Sequence, residues 1–505
     1  MDLLNRSLNS KHFWPIFFTL AIFIYFFGLT IPLLGPDEPR YTQVAREMFE
    51  RGDWVTPTLG GFNWFEKPAL LYWLQHAAFN VFGVSEFAAR LGSAFFGLGT
   101  VASLFLLGRT AEAEKDDFET NGAWIAMVGA STLGLIVFSR GASFDIILTF
   151  PITAALTGFY LYDRSDQSSR VRFAGLAAFY VFTGLAILAK GLVGLVFPFA
   201  IVAFYHLISL KMPSKEVLIS LIWGTLLAVA VASSWYLPMY LRHGYGFIDE
   251  FFIQHHFQRY TSNKYQHPQP FHFFLWVLPL MTIPWMPFFI AEVWRNIRDR
   301  FSRERTRSCS ASASLVRFAF AWIIVPLVFF SFSGSKLPGY ILPAVPPAVV
   351  LAAIAAARFA NRSSFRAACV KLLAVTTLVT IIIILQFVLP GFADNDSVKR
   401  LITSADDRGY GMNKVVGFVT ISHNAEFYAA GRLLRGSDGK QRRLNGPSEV
   451  TELLMSEGKP VLLLIRPEHL KHVVDDPEFA VEMIADNGEL AIVAATLRRD
   501  ATPKL

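Results

Sequence analysis

Through the first 390 residues the chain runs in apolar blocks of about 20, the length of a membrane-crossing helix, separated by short polar segments. Eleven blocks read as spans: 13–34, 86–108, 121–138, 144–162, 173–190, 191–210, 217–240, 271–291, 316–333, 338–357 and 371–390. The stretch 173–210 reads as a close hairpin split at Lys190-Gly191. The first block is too long for the core of a signal peptide. It runs into Gly35-Pro36-Asp37-Glu38-Pro39 rather than a small-residue cleavage site, so it reads as an anchor. Beyond residue 390 the pattern changes. Charges become frequent, and short β-like runs (415–421, 461–465, 490–494) alternate with helical stretches such as 447–457. The expected architecture is a polytopic α-helical membrane domain, 1–390, with outer loops 35–85 and 241–270, followed by a small soluble α/β domain, 391–505.

Composition narrows the class. Of the 505 residues, 53% are apolar and only 17% charged, and Phe occurs 48 times. Soluble domains carry roughly 25% charged residues, and interior volume cannot hide this much apolar surface. Disorder, a collagen-like chain and a disulfide scaffold are excluded as well. The only cysteines, Cys309 and Cys369, make neither a metal site nor a disulfide framework. The net charge of +7 belongs to basic loops facing the cytosol, not to nucleic-acid binding.

Sidedness follows from Lys and Arg in short loops. Arg6 and Lys11, Arg109 and Lys115, Arg164 to Arg172, Lys211 and Lys215, the run Arg295 to Arg307, and Arg358 to Arg366 all fall on one side if the N-terminus is cytosolic. The other side receives 35–85, 139–143, 241–270, 334–337 and the tail. The unusual polar residues sort onto this outer side although their chemistry played no part in the assignment: Asp37, Glu38, Arg40, Tyr41, Glu66, Lys67, Arg140, Asp145, Lys190, His255, His256, Arg259, Tyr260, Lys336 and Tyr340. Ionisable groups at membrane depth are costly and mark function, so their gathering at one face predicts one site.

Each motif has a plain reading beside the functional one. Asp37-Glu38-Pro39-Arg40-Tyr41 opens a helix with an acidic cap and Pro in its first turn. Tyr41, Val44, Ala45, Met48 and Phe49 share one face, as in a helix lying in the interface plane. Capping alone explains Asp37, but not the adjacent acid and the Arg-Tyr pair. Glu66-Lys67-Pro68 opens a second helix. Glu66 is a hard-oxygen candidate for a divalent cation and Lys67 a phosphate-binding charge; an exposed Glu–Lys pair is the alternative. Arg140 and Asp145 either pair with one another or act separately. Lys190 either snorkels or meets an anionic headgroup. In 251–260, His255 and Arg259 share a helix face and His256 and Tyr260 the next; either histidine can ligate metal opposite an outer Glu. Lys336 and Tyr340 share a face and serve as interface anchors or as site residues. No Walker or Rossmann fingerprint is present.

Taken together, Gly35-Pro-Asp-Glu-Pro-Arg-Tyr41, Trp64-Phe-Glu-Lys-Pro68, Ala189-Lys-Gly191 and Lys336-Leu-Pro-Gly-Tyr-Ile-Leu-Pro343 resemble the lipid A aminoarabinose transferases. These are bacterial members of the GT-C class of polyprenyl-phosphate-sugar-dependent glycosyltransferases, related to protein O-mannosyltransferases. The likeness covers roughly residues 10–350 and implies about 11–13 membrane helices. It implies an inverting transfer of a sugar such as 4-amino-4-deoxy-L-arabinose from undecaprenyl phosphate to a lipid A phosphate, in the bacterial inner membrane with the site facing the periplasm. Asp37 and Asp145 match the two acidic catalytic positions. Arg40, Lys67, Lys190 and Arg259 would bind donor phosphate, and Tyr41, Tyr340 and Lys336 would line the donor pocket. Glu66 with His255 or His256 would hold a divalent metal: zinc, magnesium or manganese. A protein or another glycan as acceptor, and a transporter of lipid-linked sugar, are the competing readings. No nucleic acid is expected as a partner.

Overall fold

The computed structural model describes residues 8, 10, 12–112, 122–164, 168–251, 268–301 and 311–498. Every predicted apolar block is helical. Eight helices are long and apolar enough to cross a membrane among the described residues, and nine if Gly122–Ala130 and Leu133–Ser139, bent by 61°, form one broken span. The eleven blocks exceed that number for two reasons. Block 13–34 contains a helix of only 14 residues, Phe13–Phe26. Block 271–291 divides into Phe273–Met281 and Met286–Phe301 around Pro284. The chain is thus a multi-pass helical membrane protein with a small sheet-bearing C-terminal part.

Two compact units make up the chain. The first holds Met1–Phe27, Phe65–Leu74 and Arg90–Ile382. Its helices approach closely where small residues meet. An added Cβ on Gly158 would lie 2.7 Å from the carbonyl oxygen of Gly175, and one on Gly175 would lie 2.6 Å from that of Gly158. Helices Phe144–Asp163 and Ser169–Lys190 therefore touch through their backbones, the favoured contact where water supplies no driving force. The Ala-rich helix Val345–Ala360 is buried along nearly its whole length and packs on Met286–Phe301 and Gly122–Ala130.

The second unit joins Gly28–Trp64 and Gln75–Ala89 to Ile383–Leu505. Residues 28–64 and 75–89 thus fold with the tail, whereas 65–74 fold with the helical unit. Helix Asp37–Arg51 ends at Gly52, whose φ of 63° is the left-handed conformation of a helix stop. A hairpin follows, β1 (Thr58–Leu59) and β2 (Phe62–Asn63). The tail forms a five-stranded sheet in the order β4-β3-β5-β7-β6, from β3 (Val415–Phe418), β4 (Arg443–Leu444), β5 (Val461–Ile465), β6 (Phe479–Asp486) and β7 (Ala491–Leu497). β4, β3 and β5 run parallel; β5, β7 and β6 run antiparallel. β5 is apolar throughout because both its faces are covered. Leu463 and Ile465 meet Val450, Leu453 and Leu454 of helix Pro447–Glu457, while Leu462 and Leu464 meet Leu401, Ile402 and Ala405 of helix Lys399–Ala405. β6 carries only a broken apolar pattern, which is why its sequence gave no strand signal.

Helix Asp37–Arg51 buries the apolar face that its sequence pattern predicts. Tyr41, Val44, Ala45 and Met48 are buried, and the helix packs on the short helix Ala425–Tyr428. Arg46 stacks over Phe427 with its guanidinium 5.8 Å from the ring centre. Protein, not lipid, covers this apolar face.

Candidate active site

In the second unit, Asp37 is the first residue of its helix, and Pro36 before it offers no side-chain cap. Glu38 reaches back instead: its carboxylate accepts a hydrogen bond from the Leu34 N–H at 2.8 Å, ahead of the helix. Asp37 is left to pair with Arg40, one turn on. Arg40 also donates through Nε to the Pro36 carbonyl (3.0 Å) and lies 6.0 Å above the Trp64 ring. The Asp37 side chain keeps 48% of its surface exposed, so its carboxylate can still reach a substrate.

The tail braces the approach to this helix. The Tyr428 hydroxyl accepts from the Leu33 N–H (2.8 Å) and donates to Glu86 (3.1 Å). Asp396 accepts from the Gly35 N–H (2.8 Å), and Lys399 donates to Glu86 (2.6 Å). Each bond fixes backbone immediately before Asp37 or the group that holds it. Tyr41 is buried.

In the first unit, Asp145 sits in the first turn of helix Phe144–Asp163, whose N-cap Ser143 accepts the Asp145 N–H. Its carboxylate is 2.5 Å from the Lys190 ammonium at the C-terminus of helix Ser169–Lys190, and both side chains are largely buried. Lys190 also lies 5.0 Å from the centre of the Tyr340 ring, a cation–π contact. Tyr340 belongs to the 3-10 turn Pro338–Ala344. Its neighbour Gly339 leaves room for the acid: an added Cβ would stand 2.0 Å from an Asp145 oxygen. Asp145, Lys190 and Tyr340, from three distant segments, therefore meet. Lys336 is buried and donates to the Ser333 carbonyl at 2.7 Å. Arg140 does not pair with Asp145. It donates instead to the backbone carbonyls of Ile24 (2.6 Å) and Phe27, where helix Phe13–Phe26 ends and leaves carbonyls unsatisfied.

Glu66 and Lys67 pair at 2.9 Å with only 10% and 11% of their side chains exposed, so this is not the exposed pair of the plainer reading. His255, His256, Arg259 and Tyr260 lie outside the described residues. Among the described residues no three His, Cys, Asp or Glu groups converge, and Glu66 is engaged by Lys67. The described residues alone do not form a metal site.

One group in each unit gave no signal in the sequence. His423 lies close enough to Asp37 and Arg40 for both to act on it. Partial burial and the Arg40 charge hold its pKa below the ordinary imidazole value, with Asp37 pulling the other way. In the first unit the fully buried Arg90 acts electrostatically on Arg140. A lone histidine or arginine has no neighbouring pattern that would single it out.

The helical domain with acid–cation pairs at its helix ends is the GT-C fold. It superposes on the crystal structure of ArnT from Cupriavidus metallidurans bound to undecaprenyl phosphate with a TM-score of 0.74, covering 96% of this chain and 98% of that one at 24% identity. An archaeal oligosaccharyltransferase, AglB from Archaeoglobus fulgidus, shares the fold more distantly (TM-score 0.54, 13% identity, 98% of this chain and 76% of that one). Residues 12–250 match the dolichyl-phosphate-mannose-protein mannosyltransferase family. Among curated relatives, the undecaprenyl phosphate-alpha-4-amino-4-deoxy-L-arabinose arabinosyl transferase of Shewanella sediminis is 31% identical over 365 residues, 71% of this chain and 62% of that protein. Its namesake in Yersinia enterocolitica is 28% identical over 425 residues, 82% of this chain and 72% of that protein. The chain spans less than two thirds of the length of the Shewanella relative. Sequence and fold together identify the chain as a GT-C family member related to the aminoarabinose arabinosyl transferases.

Proposed function

We propose that the chain is an inverting glycosyltransferase that moves 4-amino-4-deoxy-L-arabinose from undecaprenyl phosphate to a lipid A phosphate at the periplasmic face of the bacterial inner membrane. The observation that carries this reading is the 31% identity to a relative named for use of that donor. The polar groups at the outer helix ends agree with the chemistry. An acceptor oxygen attacks the anomeric carbon, the bond to the polyprenyl phosphate breaks, and the departing phosphate keeps the electron pair. Charge builds on that phosphate while the sugar gains oxocarbenium character.

The resemblance assigns Lys190, Lys67, Arg40 and Arg259 to the donor phosphate, whose growing charge such cations stabilise. Asp145 orients Lys190, and Tyr340 covers its other side. Tyr41 and Lys336 are assigned to the donor pocket by the same resemblance. Against an ionised phosphate acceptor no strong base is needed, and Asp37 orients the acceptor and offsets the positive charge on the sugar. Against a hydroxyl acceptor Asp37 is the general base. Glu66 with His255 or His256 would hold a divalent metal, which would add positive charge beside the departing phosphate. Metal analysis of the purified protein and of Glu66→Ala checks it: wild type should retain zinc, magnesium or manganese, and the variant should not.

The match to the protein mannosyltransferase family favours a second reading, transfer to a protein. Mass spectrometry of lipid A from cells with and without the chain separates the two. Lipid A heavier by one aminoarabinose only when the chain is present supports the first; unchanged lipid A beside newly glycosylated protein supports the second.

A further inference from the structure

The tail carries a pocket of about 660 Å³ that the transfer mechanism does not use. It opens where the parallel strands β3 and β5 end: Thr420–Asn424 follow β3, Arg466–Glu468 follow β5, and Gly488–Leu490 join β6 to β7. The chain leaves β3 for β4 on one side of the sheet and returns to β5 on the other. This is a switch point of strand order, where the carboxyl ends of neighbouring strands diverge and open α/β sheets bind their ligands.

Two local features agree with a binding site. Val419, directly after β3, has a φ of 55°, a conformation that a β-branched residue adopts only under strain, and such strain clusters at ligand sites. Asn424 on the pocket wall is 7% exposed, and among the described residues its amide oxygen has no hydrogen-bond partner. A buried acceptor left open costs about 1–3 kcal/mol, and folds tolerate such groups mainly where function needs them. Gly35 and Pro36 form the remaining wall, and the next residue is Asp37.

We propose that this pocket of the C-terminal domain holds the saccharide portion of the acceptor and so delivers it to Asp37. The lining chemistry favours a sugar over a bare anion. Arg466 and His423 line it together with Asp396, Glu468 and Glu489, so it offers both donors and acceptors of hydrogen bonds and no net positive field. The volume lies within the range of small-molecule sites, about 300–1,000 Å³. The proposal rests on the transferase reading above and assigns the acceptor's sugar to the tail.

The test uses the full-length protein in detergent and two variants at exposed pocket residues, Arg466→Ala and Glu489→Ala. A soluble amino-sugar disaccharide is the binding probe, read by saturation-transfer NMR. Transfer kinetics with undecaprenyl-phosphate aminoarabinose and lipid A run in parallel. The expected result is disaccharide binding to wild type that falls at least fivefold in both variants, with the acceptor KM raised at least fivefold and kcat and donor KM within twofold. No binding to wild type, equal binding to the variants, or a loss in kcat in place of the KM change would overturn the proposal. Absence of transfer by wild type would instead sink the transferase reading, and the binding arm would still decide the pocket.

Discussion

Asp37 and Asp145 both stand in the first turn of a helix and both meet a cation, yet their settings differ. Asp145 finds Lys190, 45 residues away, at the end of a neighbouring helix, and its side chain is only 18% exposed. Asp37 finds Arg40 on its own helix and stays 48% exposed. The first pair is held by helix packing, the second by hydrogen bonds that the backbone ahead of it donates to Asp396 and Tyr428. On the proposed function, the largely buried pair serves the donor phosphate and the open, braced acid serves the incoming acceptor. The contrast fits one group serving the donor and the other the acceptor.

The sharpest way to break this contrast is Asp37→Asn. If the exposed acid acts on the acceptor, transfer should fall by at least 100-fold, within the roughly 10²–10⁴ range of acid–base and orienting groups, while the protein inserts and melts as wild type. Initial rates and a thermal melt in detergent check both halves.

Lys190→Ala should act the other way round, on stability as well as activity. Removing one partner of a buried pair costs about 3–5 kcal/mol; with roughly a sixth of each side chain exposed, about 2–3 kcal/mol is expected. The double variant Asp145→Asn with Lys190→Met should recover most of the melting temperature but no transfer. Full recovery of transfer would remove Lys190 from the donor site.

Tyr428→Phe deletes a hydroxyl that joins Leu33 to Glu86. A loss of about 1–2 kcal/mol in the stability of the second unit is expected, with faster amide hydrogen exchange at residues 33–37. Unchanged exchange there would refute the bracing of Asp37 by the tail.

The smallest effect concerns pH. His423 resists protonation in the folded chain, because burial and Arg40 lower its pKa from the ordinary 6.5. The unfolded chain therefore takes up the proton first. The stability that comes from keeping His423 neutral is whole above pH 6.5 and drains away as pH falls through the ordinary value toward the lowered one. His423→Gln should flatten the melting temperature of the second unit over that window; an unaltered slope would assign the acid sensitivity elsewhere.

The same contrast explains what could be read from the sequence. Local features were legible: the helix opened by Asp37 and its Arg40, the adjacent Glu66 and Lys67, the apolar run of β5 and the periodic helix Pro447–Glu457. The meeting of Asp145 with Lys190 and Tyr340 was foreseeable only as a gathering on one face, because hydropathy and charge give side but not partner. Arg140 satisfies backbone carbonyls 116 and 113 residues away, a role that leaves no mark in the sequence. The bracing of the first outer segment by the tail joins residues as far apart as Leu33 and Tyr428, 395 positions. It was invisible because each bond uses one polar atom and no repeating pattern.

The central claim is transfer of a sugar from undecaprenyl phosphate by a site that needs Asp37. Purified protein given undecaprenyl-phosphate aminoarabinose and lipid A tests it, with the product mass followed over time. The account predicts lipid A heavier by one aminoarabinose with wild type and no such product with Asp37→Asn. Donor left untouched by wild type, or product formed at the wild-type rate by Asp37→Asn, would contradict it.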